Sequence, residues 1–194
     1  MTATYPDEPG GGGEPGPLVR AVLALEQTRA IDPLARAIAP LAEAVVGSGR
    51  RRDLLQGRWL GHSAHPVLVT VPLGMWTGVS MLDLFGNDDA TRDTARTLTG
   101  WGILFALPSA LTGLAEWIGT NQRDRRTATI HALSNATALA CYVASWRARG
   151  RGDQRRGAVL AAVGYGTANV GGFLGGHLTE GRKVGSHHPA IARD

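Results

Sequence analysis

Four long stretches of this chain carry no charged side chain, and charge closes each of them at both ends. They are residues 59–82, 97–115, 127–146 and 157–179, separated by polar segments at 83–96, 116–126 and 147–156. At a helical rise of about 1.5 Å per residue, some 20 uncharged residues match a hydrocarbon core of roughly 30 Å. A helix on the surface of a water-soluble bundle carries charged and polar groups along its outer face, and these stretches have no charge to put there. The pattern predicts an all-α fold, a four-transmembrane-helix bundle preceded by an amphipathic interfacial helical segment. The helices are expected near 66–85, 97–117, 127–146 and 157–178, inside a domain at 59–180. A mean hydropathy of −0.06 hides this, because the charge is segregated rather than sparse.

Residues 1–17 are rich in Gly, Pro and Glu and are expected to be a disordered tail. They lack the basic and apolar regions of a secretory signal, so the first crossing is expected to direct insertion. Residues 18–58 read as an amphipathic juxtamembrane segment. Leu18, Val22 and Leu25, then Leu34, Ile38, Leu41 and Val45, recur at helical spacing, with Pro33 and Pro40 as breaks. Arg20, Glu26, Arg29, Arg36 and Glu43 make it too charged to cross, so it lies on a membrane surface or docks a partner. A turn and a basic cluster follow at 47–52. Residues 181–194 read as a polar tail, and its His187 and His188 are assigned no role.

Within the apolar stretches, small residues predict close helix contact. Gly164, Ala168, Gly172 and Gly176 form one row with Gly171 and Gly175 beside it, read as a tight packing face. Pro72 and Pro108 inside helices are tolerable where neighbouring helices satisfy the freed carbonyls. Trp59, Trp76, Trp101, Trp117 and Trp146 are read mostly as an interfacial belt. Asp83 reads as a helix-end acid or cap, with a polar contact across the bundle as the alternative. Cys141, the one cysteine, excludes an intrachain disulfide.

Four crossings put both termini on one side. That side holds Arg50, Arg51, Arg52, Arg58, Arg123, Arg125, Arg126, Arg182 and Lys183. The other holds Arg92, Arg96, Arg147, Arg149, Arg151, Arg155 and Arg156. The excess favours a cytoplasmic location for the termini of a multi-pass plasma-membrane protein, a bacterial inner-membrane protein in the family reading below. The net charge of +4 is read as contact with lipid headgroups. Nucleic acid is not an expected partner, because the basic segment at 147–156 lacks interleaved aromatics.

The same threading delivers His62, His65, Glu116, His131 and His177 to one membrane boundary, with no histidine at the other. Asn135 lies one turn deeper than His131 on the same face. An intramembrane imidazole needs a partner and is a functional hypothesis by default. His65, His131 and His177 are the candidate cofactor ligands, able to hold a b-type haem across the bundle. His62, His65, His131, His177 and Glu116 are the candidates for one transition-metal ion, with Asn135 behind them. A hydrogen-bonded polar cap that locks the helices together is the competing reading, and then there is no cofactor.

The run Gly61-His62-Ser63-Ala64-His65-Pro66, with Val71-Pro72-Leu73-Gly74 and Leu82-Asp83, resembles the opening of an uncharacterised bacterial integral-membrane family, domain of unknown function family 2231. Three further runs resemble its later helices. They are Leu111-Thr112-Gly113-Leu114-Ala115-Glu116-Trp117, His131-Ala132-Leu133-Ser134-Asn135 and Gly171-Gly172-Phe173-Leu174-Gly175-Gly176-His177-Leu178. The resemblance covers roughly residues 18–185. Relatives are often fused to a Rieske iron–sulfur domain or occur beside c-type cytochromes, which implies electron transfer and favours haem. This chain has no Rieske domain before its end at Asp194, so a separate iron–sulfur or cytochrome redox partner is implied. It also departs at Glu116, commonly Asp in relatives, and at Thr179-Glu180-Gly181, where relatives usually have an apolar–aromatic pair.

The expected function is a His-cluster membrane module, haem or metal, linked to electron transfer. The alternative is a non-catalytic structural or partner-docking membrane anchor. A homo-oligomer is compatible with either. A transporter ranks last, since no charge sits at mid-depth. No phosphate loop, nucleophile elbow or carboxylate pair points to independent catalysis, and no catalytic residue is assigned.

Overall fold

The computed structural model describes residues 14–185, so most of the expected N-terminal tail, and residues 186–194 with His187 and His188, lie outside it. Among the described residues the chain is all-α. Three short helices come first: α1 (Pro17–Gln27), α2 (Asp32–Val46) and α3 (Arg50–Leu55). Four long ones follow: α4 (His65–Phe85), α5 (Asp89–Gly119), α6 (Gln122–Gly150) and α7 (Gln154–Gly176). A π turn, His177–Gly181, ends α7.

The long helices start where local chemistry dictates. Pro66 occupies the first turn of α4, where its missing N–H costs nothing. The side chains of Asp88, Asn121 and Asp153 cap α5, α6 and α7 by accepting from the N–H of Thr91, Asp124 and Arg156. Connections this short make sequence neighbours antiparallel. α4 packs on α5, α5 on α6, α6 on α7 and α7 on α4, so α4 and α6 stand on one diagonal of a helical bundle.

Three of the long helices are long and apolar enough to cross a membrane: α4, α5, and α7 with its π turn. α6 falls short of the four expected. Its uncharged stretch is diluted by Thr127, Thr129, His131, Ser134, Asn135, Thr137 and Ser145, many of them turned toward neighbouring helices. The outer faces of the other three remain uncovered apolar surface. Val67, Leu84, Phe85, Leu104, Leu107, Val163, Val170 and Phe173 are all exposed, a distribution that suits lipid and not water.

The core is thin and made of small residues. Trp76 and Tyr142 stack at its centre, ring centres 4.0 Å apart and within 9° of parallel. Trp76 and Trp117 are buried, so neither belongs to an interfacial belt, whereas Trp59, Trp101 and Trp146 are exposed. The packing row of α7 is Gly157, Ala161, Gly164, Ala168 and Gly171, with Leu174. Gly172 and Gly176, which the four-residue row had included, face open space. A strict four-residue repeat drifts around a helix of 3.6 residues per turn, and the buried stripe does not drift with it.

α1 and α2 dock on the bundle's own end, α1 against α6 and α2 against α5 and α6, through Val22, Ile31, Ala35, Ala42 and Val46. Pro33 falls at the start of α2, as a break does, but Pro40 lies inside it. That prolyl residue is exposed, so the carbonyl it frees stays open to solvent.

Candidate functional site

Of the five clustered residues, the structure brings two into contact. His65, the first residue of α4, and His131, about 14 Å into α6 by helical rise, meet edge to face across the diagonal. Their ring centres are 6.0 Å apart and their planes at 89°. The Nδ1 atoms face backbone carbonyls, Ser109 O at 2.9 Å and Gly171 O at 2.8 Å. A carbonyl only accepts, so each Nδ1 carries the proton and donates it, and each Nε2 is left with a lone pair. For His131 that lone pair is taken: the Asn135 amide donates to it at 3.0 Å. The Nε2 of His65 has no hydrogen-bond partner among the described residues.

Both rings lie on glycines. A methyl group at Gly113 would stand 2.8 Å from His65 Cε1, and one at Gly175 would stand 2.9 Å from His131 Cε1. Asn135 rests on Gly171 in the same way. Glycine lets each polar ring reach the neighbouring helix backbone, which is where its hydrogen bond is made.

The pair lines a cavity of about 320 Å³. It runs from Trp76 up to Glu116, Ser63 and Thr120, and its walls are largely small or apolar, including Ala106, Ala128, Ala136 and Ala168. So many alanines and glycines cannot fill the space between four helices. Val184 also lines it; the chain turns there after Lys183, whose φ of 55° is left-handed, and Val184 N–H donates to Leu178 O.

The other three candidates are placed differently. His177 Nε2 pairs with Glu26 Oε1 at 2.8 Å, drawn toward α1 as the π turn carries it away from the histidine pair. His62 is exposed, with Nδ1 on Ser63 O at 2.9 Å. Glu116 lines the cavity, near Gly185. Among the described residues no group of three or more His, Cys, Asp or Glu side chains is arranged to hold one metal ion. The expected five-residue cluster is therefore not gathered in one place.

Two charge clusters where the first two helices meet the bundle escaped the sequence reading. Glu26 is fully buried and receives Arg123 Nε at 2.7 Å, Arg182 through two nitrogens, and His177. Burial alone would raise its carboxyl, but hydrogen bonds from Arg182 and His177 and the charges of Arg182 and Arg123 outweigh it and hold it at about 2. Arg126 grips Asp32 with two nitrogens at 2.7 and 2.9 Å. At the far end of the bundle Arg149, only 3% exposed, pairs with Asp83. Asp83 thus makes the contact across the bundle, not a solvated cap. The sequence had offered that contact as the alternative for Asp83, without naming Arg149 as its partner.

A family model described as "Predicted membrane protein (DUF2231)" matches residues 61–188. No curated protein and no solved structure matches the chain.

Proposed function

The chain belongs to the DUF2231 family of predicted membrane proteins, and we propose that it is a four-crossing membrane module whose His65–His131 site holds a haem iron or another transition-metal centre for electron transfer. The fourth crossing is argued from packing. α6 runs antiparallel beside α7 and is joined to it by a short turn. If α5 and α7 span the bilayer, α6 spans it with them, its polar face kept from lipid.

The observation that carries the cofactor reading is the fixed tautomer of both imidazoles. Nδ1–H bonded to a backbone carbonyl, with Nε2 presenting its lone pair, is the outer-shell pattern of metal-binding histidine. Of the two, His65 has the free nitrogen and would hold the metal, while the Asn135 amide occupies His131 Nε2. The apolar walls would exclude water and Ser109 O would orient the His65 ring. The cavity, at about 320 Å³, is at the small end for a cofactor pocket. Iron bound there would supply one-electron chemistry, passed to a separate redox protein.

The test is a detergent preparation from cells supplied with haem and iron. A Soret band or stoichiometric metal, lost in His65→Ala, supports the reading. A folded, colourless, metal-free preparation overturns it.

The anchor alternative is favoured by one observation: Leu18, Val19, Leu34 and Leu41 stay exposed on α1 and α2. Deleting residues 18–46 should then abolish recovery of a partner protein, and a partner retained after that deletion would end this version.

A further inference from the structure

Three contacts in the bundle join residues that share one sequence separation. Asp83 pairs with Arg149 across 66 positions; Trp76 stacks on Tyr142 and His65 meets His131 at that same interval. On the partner helices a second interval recurs. Trp76 lies against Gly102 and Tyr142 against Gly164; His65 bonds Ser109 O and rests on Gly113; His131 bonds Gly171 O and rests on Gly175. The glycine and carbonyl positions of α5 map onto those of α7 with one constant offset. Both hairpins also open their second helix with an aspartate cap, Asp88 and Asp153. α4–α5 and α6–α7 are thus two copies of one helical hairpin.

A residue touches its own equivalent only on a two-fold axis. From His65 to Asp83 the three self-contacts extend over about 27 Å of helix, so the pseudo-axis runs along the bundle and the histidine pair sits on it. The two copies then differ at the position that matters most. The equivalent of Asn135 is Val69, which also lines the cavity and has no proton to donate. His131 is capped and His65 is not.

We infer that Asn135 is the residue that determines how many imidazoles this site offers. The chain as it stands offers one, from His65, which suits a centre with an exchangeable position rather than one closed by two histidines. Removing the amide makes the site symmetric. Both Nε2 atoms are then free to ligate, one on each side of the pseudo-axis. The choice of ligand rests on the proposed function; the asymmetry of the pair does not.

The experiment has two arms, both on full-length protein in detergent. In the first, ¹⁵N-histidine spectra are recorded without ligand. One Nε2 should carry a hydrogen-bonded shift and one a free shift, assigned by His65→Ala and His131→Ala. Asn135→Val should make both free, and Val69→Asn should make both bonded. Equivalent histidines in the unsubstituted protein would overturn the inference, whatever binds. In the second arm the probe is hemin. The unsubstituted protein and His131→Ala should give a high-spin, single-imidazole spectrum, and Asn135→Val a low-spin, two-imidazole one with roughly tenfold tighter binding. A low-spin spectrum from the unsubstituted protein also overturns the inference. Hemin binding nowhere, with the expected nitrogen spectra, removes the haem reading and leaves the asymmetry standing. Asn135→Ala serves if the valine variant fails to fold.

Discussion

Gly113 and Gly175 determine where two imidazoles sit, and their neighbours Gly172 and Gly176 determine nothing comparable. A methyl at either of the first two would press on a histidine ring that is itself fixed to a helix carbonyl, whereas the latter two have nothing within 4 Å. Gly113→Ala and Gly175→Ala should each lower stability by about 1–3 kcal/mol and shift the corresponding histidine resonances. Gly172→Ala and Gly176→Ala should be neutral or gain up to about 1 kcal/mol, from helix propensity alone. Thermal unfolding in one detergent compares all four, and equal losses would show that the seats are not specific. Asp83 and Arg149 offer a second test. Removing one partner of a buried pair leaves an unpaired charge, so Asp83→Leu should cost roughly 3–5 kcal/mol. The double variant Asp83→Leu/Arg149→Met should recover most of that, since well-packed apolar replacements of ion pairs are often neutral. No recovery in the double variant would place the loss in packing instead of charge. At this scale the sequence placed the histidines toward one end of the bundle, because the up-and-down order of the helices decides that. It did not show that His177 would leave the group, because Glu26, its partner, is 151 residues away.

The α1–α2 arm is amphipathic in sequence and docked in structure, and charge rather than apolar area chooses its berth. Arg123, Arg125 and Arg126 read in sequence as one side's loop charge, yet each has a defined structural partner. Arg123 takes Glu26, Arg126 takes Asp32, and Arg125 donates to Ile118 O and Thr120 O while covering the Trp117 ring. Both acids are held below their ordinary values: Glu26 as described, and Asp32 chiefly by the hydrogen bond from Arg126. A carboxylate depressed in the folded state contributes stability that is fully present above its unfolded pKa and is lost as pH falls through its folded one. For Glu26 that window runs from 4.5 down to about 2. Protease cleavage within residues 17–46 should therefore accelerate below about pH 4, while the long helices keep their circular dichroism. Glu26→Gln should produce the same release at neutral pH, weakening docking by about 2 kcal/mol. An arm that stays protected in that variant would assign the docking to Val22, Ile31 and Ala42 alone. Helical periodicity revealed the existence of this arm and its apolar face. The site it occupies depends on pairings across nearly 100 residues, which local spacing does not encode.

The bundle as a whole combines two requirements that compete along α6. Its outward residues, such as Leu133 and Trp146, are exposed, and its inward ones supply His131, Asn135, Thr129 and Ser145 to neighbouring helices, Ser145 donating to Gly157 O and Thr129 accepting from Trp117. That polar content keeps α6 out of the set of helices apolar enough to cross by composition. In a bilayer such groups cost little when their partners lie inside the protein, which is what the proposed fourth crossing requires of α6. The consequence is a definite alternation. With Cys141 replaced by Ser, single cysteines at Ser48, Asn121 and Lys183 should react with an impermeant thiol reagent from one face of sealed vesicles. Cysteines at Asn87 and Gly152 should react only from the other. If α6 lay on the surface, positions 121 and 152 would label together, and the axis joining His65–His131 to Asp83–Arg149 would no longer run from one membrane face to the other. The pair of hairpins makes this test stringent. Two copies related by an axis along the membrane normal share one orientation, so position 87 in the first turn and position 152 in the second must agree, whichever face they report.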